Sequence, residues 1–326
     1  MAIAEELNKA VVYAAPGTTE TKIEKVEIPK PGTGQIGGHE GVGSVIAHGE
    51  GVTEPKIGSR VGIKWLADVC NTCPSCLEND DNTCDNKKVS GYYTPGTFQK
   101  YVVTSASYAT PIPDGIESAA AAPFLCAGLT VYSGLLKAQA RPGDWVVISG
   151  AGGGLGHLAV QYTSHVMGLR VIAIDHGSKE QICKDCGAHE FLDFTAFNDE
   201  TLPKRVKEIA NNGRGANVVV IVNAANKSYE QGLGFLKPQG TLVCIGIPEG
   251  TPVAIQSAYP AWITTQQFRI IGSAIGNRRE AIEALDFAAR GLVKCHYKLE
   301  QMDNLSQVFD DMAAGKIEGR VVLEIK

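Results

Sequence analysis

Short alternating apolar runs fill the first third of the chain. AVVY (10–13) and KIEKVEI (22–28) stop at Pro29 and Pro31, which predicts a strand pair. GVGSVIAHG (41–49) and SRVGIKWL (59–66) predict a second pair, and TFQKYVVTS (97–105) and ATPIP (109–113) further strands. The pattern changes near residue 124. DWVVISG (144–150), RVIAID (170–175), EFLDF (190–194), NVVVIVN (217–223), TLVCIG (241–246) and RIIGSAI (269–275) read as strands. Helical stretches lie between most of them: GLGHLAVQYTSHVMG, SKEQICKDCG, LPKRVKEIAN and KSYEQGLGFLK. Strands alternating with helices predict a doubly wound parallel sheet of dinucleotide-binding size. The tail adds REAIEALDFAARG, NLSQVFDDMAAG and GRVVLEI, two helices and a strand. The fold class is therefore α/β. A β-rich domain over 1–125 with 291–326 is joined to a nucleotide-binding domain over 126–290.

Composition narrows the function classes. The 326 residues are 44% hydrophobic and carry a net charge of −5, with no basic run, which argues against nucleic acid or an anionic membrane as partner. No apolar run approaches the length of a membrane span, and MAIAEELNKAVVY has neither the basic start nor the cleavage site of a secretory signal. Nine cysteines in such a chain point to metal binding in a reducing compartment, and the expected location is cytoplasmic.

Three motifs carry chemistry. Cys70, Cys73, Cys76 and Cys84 stand in the spacing C-x2-C-x2-C-x7-C, suited to a tetrahedral Zn²⁺ with no open position and hence to a structural zinc. Gly150-Ala151-Gly152-Gly153-Gly154-Leu155-Gly156 follows a strand and opens a helix, reading G-x-x-G-x-x-G through Gly150, Gly153 and Gly156. Such a loop brings backbone N–H groups against a pyrophosphate. Asp175 ends the next strand, where a carboxylate binds the adenosine ribose and repels a 2′-phosphate; Lys179 is the nearest cation. NAD is the expected cofactor. Cys183 and Cys186 form another C-x2-C, on a helix without further ligands, and read as packing residues.

Together GGHEGVGSVIAHGEGV, GIKWL, SGYYTPGTFQKY, FLCAGLTVYSGL, ISGAGGGLGHLAVQY, IGNRREAIEALDFAARGLVK and GRVVLEI resemble the zinc-dependent alcohol dehydrogenases of the medium-chain dehydrogenase/reductase family, fungal type. The resemblance implies a GroES-like catalytic domain and a Rossmann domain. It also implies hydride transfer between alcohol or carbonyl and nicotinamide on a small-molecule substrate, and assembly as a homodimer or homotetramer. It assigns His39 and Cys126 to the catalytic zinc and Glu40 beside it. Arg320 falls near the cofactor pyrophosphate, and Ile245, Gly246, Ile247, Ser273 and Ala274 along the nicotinamide. Trp65 falls near the substrate pocket. The chain departs from the family between Pro31 and Gly37: about thirty residues, some two or three strands, are absent. They carry the first zinc cysteine, the histidine beside it, the threonine of the proton relay and an orienting aspartate. Two alternatives follow from this gap: a zinc-free NAD(P)H reductase of an activated double bond or carbonyl, or a chain that keeps cofactor binding with little redox chemistry.

Overall fold

The computed structural model describes residues 8–13, 20–26, 39–92 and 94–325. The junction between Pro31 and Gly37 lies outside them. The chain forms two compact units. The first comprises Met1–Cys126, Asn277–Ala289 and His296–Lys326; the second, Ala127–Gly276 and Arg290–Cys295.

The second unit is built on six parallel strands: β1 (Trp145–Ser149), β2 (Arg170–Asp175), β3 (Glu190–Asp193), β4 (Ala216–Ile221), β5 (Leu236–Cys244) and β6 (Arg269–Gly272). Their order across the sheet is β3-β2-β1-β4-β5-β6, the doubly wound dinucleotide-binding order. Val146, Val147 and Ile148 of β1 are all fully buried, because helices cover both faces of a parallel sheet and leave no polar side for the strand to show. The order reverses between β1 and β4, which opens a crevice at their carboxyl ends. β5 begins at Leu236, five residues before the expected start. The helix after the glycine loop runs Gly156–Gln161 and then widens into a π turn over Tyr162–Val166.

The first unit holds small sheets. Asn8–Tyr13 pairs antiparallel with Thr21–Val26, Arg60–Ile63 lies between Gly41–Ser44 and Thr110–Pro111, and Leu66–Asp68 pairs with Lys88–Val89. Tyr297–Gln301 and Arg320–Glu324 form a parallel pair. The strand expected over 97–105 is replaced by one bridge, Ala10 to Gln99, in otherwise irregular chain. The buried Asn8 side chain explains the difference. Its amide donates to the Gln99 side chain and the Tyr101 carbonyl, and its oxygen accepts from Tyr101 N–H, taking positions a neighbouring backbone would hold.

The boundary near residue 290 also differs from the one expected. Helix Arg278–Ala289 belongs to the first unit, and 290–295 to the second. Asn277 donates to the Asn79 carbonyl at 3.1 Å, Arg278 approaches Asp81 at 3.7 Å, and Ala289 packs so closely on Gly115 that a Cβ there would lie 3.1 Å from the Ala289 carbonyl. Among the described residues no single helix is long and apolar enough to cross a membrane.

Candidate functional site

The four-cysteine lobe is wound by two asparagines in left-handed backbone, Asn71 and Asn79 (each φ +61°), and by Pro74, which starts the short helix Pro74–Leu77. This brings the sulfurs of Cys70, Cys73, Cys76 and Cys84 within 4.8 Å of one another. Cys70 lies 3.6 Å from Cys84 and 4.0 Å from Cys76. A tetrahedron of Zn–S bonds of about 2.3 Å has edges of about 3.8 Å, so the residues fit the ion. The N–H groups of Cys73 and Cys70 point at the sulfurs of Cys70 and Cys84, at 3.3 and 3.5 Å. Bonds from Thr72 and Cys73 draw the Cys70 thiol down to about 6. Desolvation and the neighbouring thiols push Cys76 up to about 12. Sulfurs this close do not all ionise without a cation among them. Beneath them pack Leu66, Val69, Val89 and Tyr108, and Tyr108 donates to Asp81 at 2.5 Å.

A second cluster lies elsewhere in the same unit. His39, Glu40 and Cys126 bring their ligand atoms within 4.8 Å of one another. Adjacent residues rarely aim at one point, and the backbone shows how they do so here: Glu40 has φ +55°, in the left-handed region. Thr97 donates to the His39 carbonyl, and a Cβ on Gly41 would lie 2.5 Å from Thr97, so this turn needs its glycine. His39 Nε2 is buried without a hydrogen-bond partner among the described residues. Burial lowers the His39 pKa, Glu40 opposes this and Arg320 reinforces it. The neutral imidazole that results is the form that binds a metal. Trp65 stands edge-on to this ring at 5.0 Å. Arg320, expected near the cofactor pyrophosphate, donates through Nη2 to both Glu40 oxygens, at 2.8 and 2.9 Å.

The glycine loop of the second unit shows which glycines it requires. Gly150 has φ +87°, a Cβ on Gly156 would lie 1.9 Å from the Gly150 carbonyl, and one on Gly152 would lie 2.5 Å from Lys179 Cβ. Gly153 meets only the Gly150 carbonyl, at an ordinary 3.4 Å. The sterically required set is thus Gly150, Gly152 and Gly156, where the sequence spacing put Gly153 in the middle. With Gly154 and Leu155, these residues turn the chain from β1 into the helix at Gly156. Asp175 accepts from Gly152 N–H through Oδ2 and from His176 N–H through Oδ1, each at 2.8 Å, so it fixes the loop beside Lys179. A backbone cradle that a Cβ would fill, at the end of β1 and near an ordered carboxylate, fits a dinucleotide.

At the far end of the sheet Ser273 Oγ is buried without a partner among the described residues, its N–H held by the Cys244 carbonyl. Ile247 is exposed, whereas Ile245 packs onto Gly134 of helix Ala127–Ala138. Two features escape the sequence reading. Asn223, the last residue of NVVVIVN, packs against Gly150 and donates to Ser149 Oγ at 2.9 Å. His176 and the exposed Phe194 stand edge-on beyond β2 and β3, with centroids 6.3 Å apart. The pairing of Asp193 with Asp175 brings them together, and only register reveals it. Cys183 and Cys186 are buried, their thiols pushed up to about 12 and 11 by that burial, as packing residues should be.

Comparison with known proteins agrees with this architecture. Residues 7–114 match the alcohol dehydrogenase GroES-like domain, and residues 154–290 the zinc-binding dehydrogenase domain. Alcohol dehydrogenase 2 of Emericella nidulans is 48% identical over 356 positions, covering 97% of each chain. An alcohol dehydrogenase of Schizosaccharomyces pombe is 43% identical over 291 positions, covering 89% of this chain and 81% of that one. Among solved structures, an NAD-dependent alcohol dehydrogenase superposes with TM-score 0.88 at 25% identity, over 98% of this chain and 100% of the other. The alcohol dehydrogenase of Aeropyrum pernix does so with TM-score 0.84 at 26% identity and the same coverage. Sequence identity over nearly the whole length and agreement of both units place the chain in the zinc-binding alcohol dehydrogenases of the medium-chain dehydrogenase/reductase family.

Proposed function

We propose that this protein is an NAD-dependent oxidoreductase interconverting a small alcohol and its carbonyl compound. One zinc is held by the four cysteines, and a second by His39, Glu40 and Cys126. The observation that carries the reading is the convergence of those three side chains around an orphaned, buried His39 Nε2. The 356-position alignment is longer than the 326-residue chain, which supports an internal gap relative to that relative. Without the family's first cysteine, Glu40 is the residue that brings the ligand count to three.

The chemistry a zinc ion supplies in such a site is Lewis acidity at an alcohol or carbonyl oxygen. The chain's own residues do the rest. His39, kept neutral by burial, offers Nε2, and Trp65 excludes water from one side of its ring. The backbone of Gly150–Gly156 receives the pyrophosphate, and Asp175 the ribose hydroxyls.

A second reading, a reductase without the second zinc, is favoured by one observation: Arg320 already engages both Glu40 oxygens. Elemental analysis separates the two. Two zinc ions per chain are expected; one zinc, with alcohol oxidation absent and reduction of an activated double bond present, would overturn the first reading. Nine cysteines without a disulfide support a cytoplasmic setting. The exposed edge strand β6, with Ile270 at its surface, supports pairing into homodimers or homotetramers.

A further inference from the structure

Past β5 the chain runs from 245 to 259 without helix or strand, and residues 247–254 make no hydrogen bond to another of the described residues. Two neighbours on one helix hold the ends of this loop. Helix Asn226–Phe235 lies so close to the sheet that a Cβ on Gly232 would stand 2.9 Å from the Leu242 side chain of β5. From this helix the Tyr229 hydroxyl donates to the Gly246 carbonyl, where the loop starts. Where it ends, the Glu230 carboxylate accepts Gln256 N–H through Oε1 at 2.5 Å and Ser257 N–H through Oε2 at 2.9 Å. Ser257 Oγ returns a bond to the Glu230 carbonyl at 3.0 Å. The start of the loop also reaches the glycine turn through a single residue. A Cβ on Gly246 would lie 1.9 Å from the Asn223 carbonyl oxygen, and one on Gly150 would lie 2.9 Å from Asn223 Cβ. Gly150, Asn223 and Gly246 thus follow one another across the carboxyl ends of β1, β4 and β5, where the strand order opens the crevice. Ile247, the next residue, is 83% exposed despite its apolar side chain.

We propose that Glu230 is a positioning residue for the nicotinamide half of the cofactor: its carboxylate fixes the far end of loop 247–257, so that Ile247 stands as an apolar wall at the crevice before the cofactor arrives. This rests on the reading of the second unit as an NAD site with Ile247 along the nicotinamide. Two backbone N–H groups on one carboxylate are charge-assisted bonds that set direction as well as distance. Ile255 and Ala258, on either side of them, pack against the core of the sheet, so the anchored end is seated from both directions. Residues 247–254, without hydrogen bonds of their own, are then restrained through these two ends. A loop left with one anchor samples more conformations, and a ligand that touches it must order it on binding. That cost falls on a nicotinamide packed against Ile247. It does not fall on the ADP-ribose half, which the glycine turn and Asp175 receive.

The test is calorimetric titration of the full chain with NADH and with ADP-ribose, which lacks the nicotinamide. Glu230→Ala removes both bonds to the loop, whereas Glu230→Gln keeps the size of the side chain and one acceptor oxygen. NADH should bind Glu230→Ala about fivefold or more weakly than wild type while ADP-ribose stays within about twofold, and Glu230→Gln should fall between the two. Amide exchange across 247–257 should rise in free Glu230→Gln, and NADH, unlike ADP-ribose, should slow it again. Glu230→Gln carries the test by itself if Glu230→Ala does not fold. Equal losses for the two ligands mark a merely structural role and overturn the proposal, as does unchanged NADH affinity or unchanged exchange in the variants. Wild-type protein that binds neither ligand overturns the underlying cofactor reading instead.

Discussion

At the scale of single residues, the glycine loop gives a graded expectation. The obstacles at Gly156 are backbone atoms, the Gly150 carbonyl at 1.9 Å and Ala151 at 2.6 Å, and neither gives way without moving the turn. At Gly152 the obstacle is a lysine stem, and at Gly153 a single ordinary contact. Gly156→Ala should therefore weaken NADH binding at least about tenfold and lower the melting temperature. Gly152→Ala should cost less, and Gly153→Ala least. Fluorescence titration and calorimetry on the three variants read this order; a Gly153→Ala effect as large as that of Gly156→Ala would contradict it. The motif was legible as glycine-rich, but which glycines it needs was not. Spacing along a sequence does not say which Cα faces a carbonyl and which faces open space. Glu40 makes the same point: nothing in GGHEG announces a left-handed backbone that turns its carboxylate toward the histidine before it.

At the scale of elements, the cysteine lobe is the clearest case of structure written in spacing. Its polar sequence, NTCPSCLENDDNTC, contributes few apolar side chains, and the small core beneath it includes two of the four clustered cysteines, Cys76 and Cys84. On the proposed zinc site, folding of the lobe and metal binding would be one event. Cys84→Ser should lower zinc content by about one ion per chain and raise amide exchange across residues 70–92, while strands β1–β5 stay protected. Hydrogen-exchange mass spectrometry with elemental analysis reads both; unchanged exchange in the lobe would mean that its core holds it without metal. The same scale holds the clearest failure of pattern reading. TFQKYVVTS has the alternation of a strand but runs irregularly, because the Asn8 side chain bonds to Gln99 and to the Tyr101 backbone where a strand partner would. That contact spans more than ninety residues and leaves no local trace.

At the scale of the whole molecule, stability should carry the mark of one buried cation. Lys64 is 1% exposed, donates to the Tyr108 carbonyl at 2.7 Å and to Thr110 Oγ1 at 3.1 Å, and lies 3.9 Å from the Tyr108 ring centroid. Burial, and then Arg278, push its pKa down to about 7, with Asp81 opposing. Above pH 7 the folded chain releases this proton, while the unfolded chain keeps it until about pH 10.4. The unfolded state therefore binds more protons across that window, and stability rises with pH through it. The penalty is fully present below pH 7 and is on the order of 5 kcal/mol at most. Urea midpoints should climb between about pH 7 and pH 9, and Lys64→Met should flatten the climb. A slope equal in both proteins would remove Lys64 as its source.

The alternation that builds the parallel sheet, the four-sulfur lobe, the glycine turn and the acid after it are all legible along the chain. Each of these depends on neighbours in the chain or on a short fixed spacing. Features that depend on distant parts meeting emerge only in the folded chain. Helix Arg278–Ala289 joins the first unit, because its ends reach Asn79, Asp81 and Gly115. Arg320 meets Glu40 across 280 positions of sequence. His176 meets Phe194 only because β2 and β3 pair with Asp175 opposite Asp193. Periodicity and spacing are local properties and can be read along the chain. A charge pair or a shared site between remote segments is fixed by packing, since only the folded core sets which of many compatible surfaces come within bonding distance.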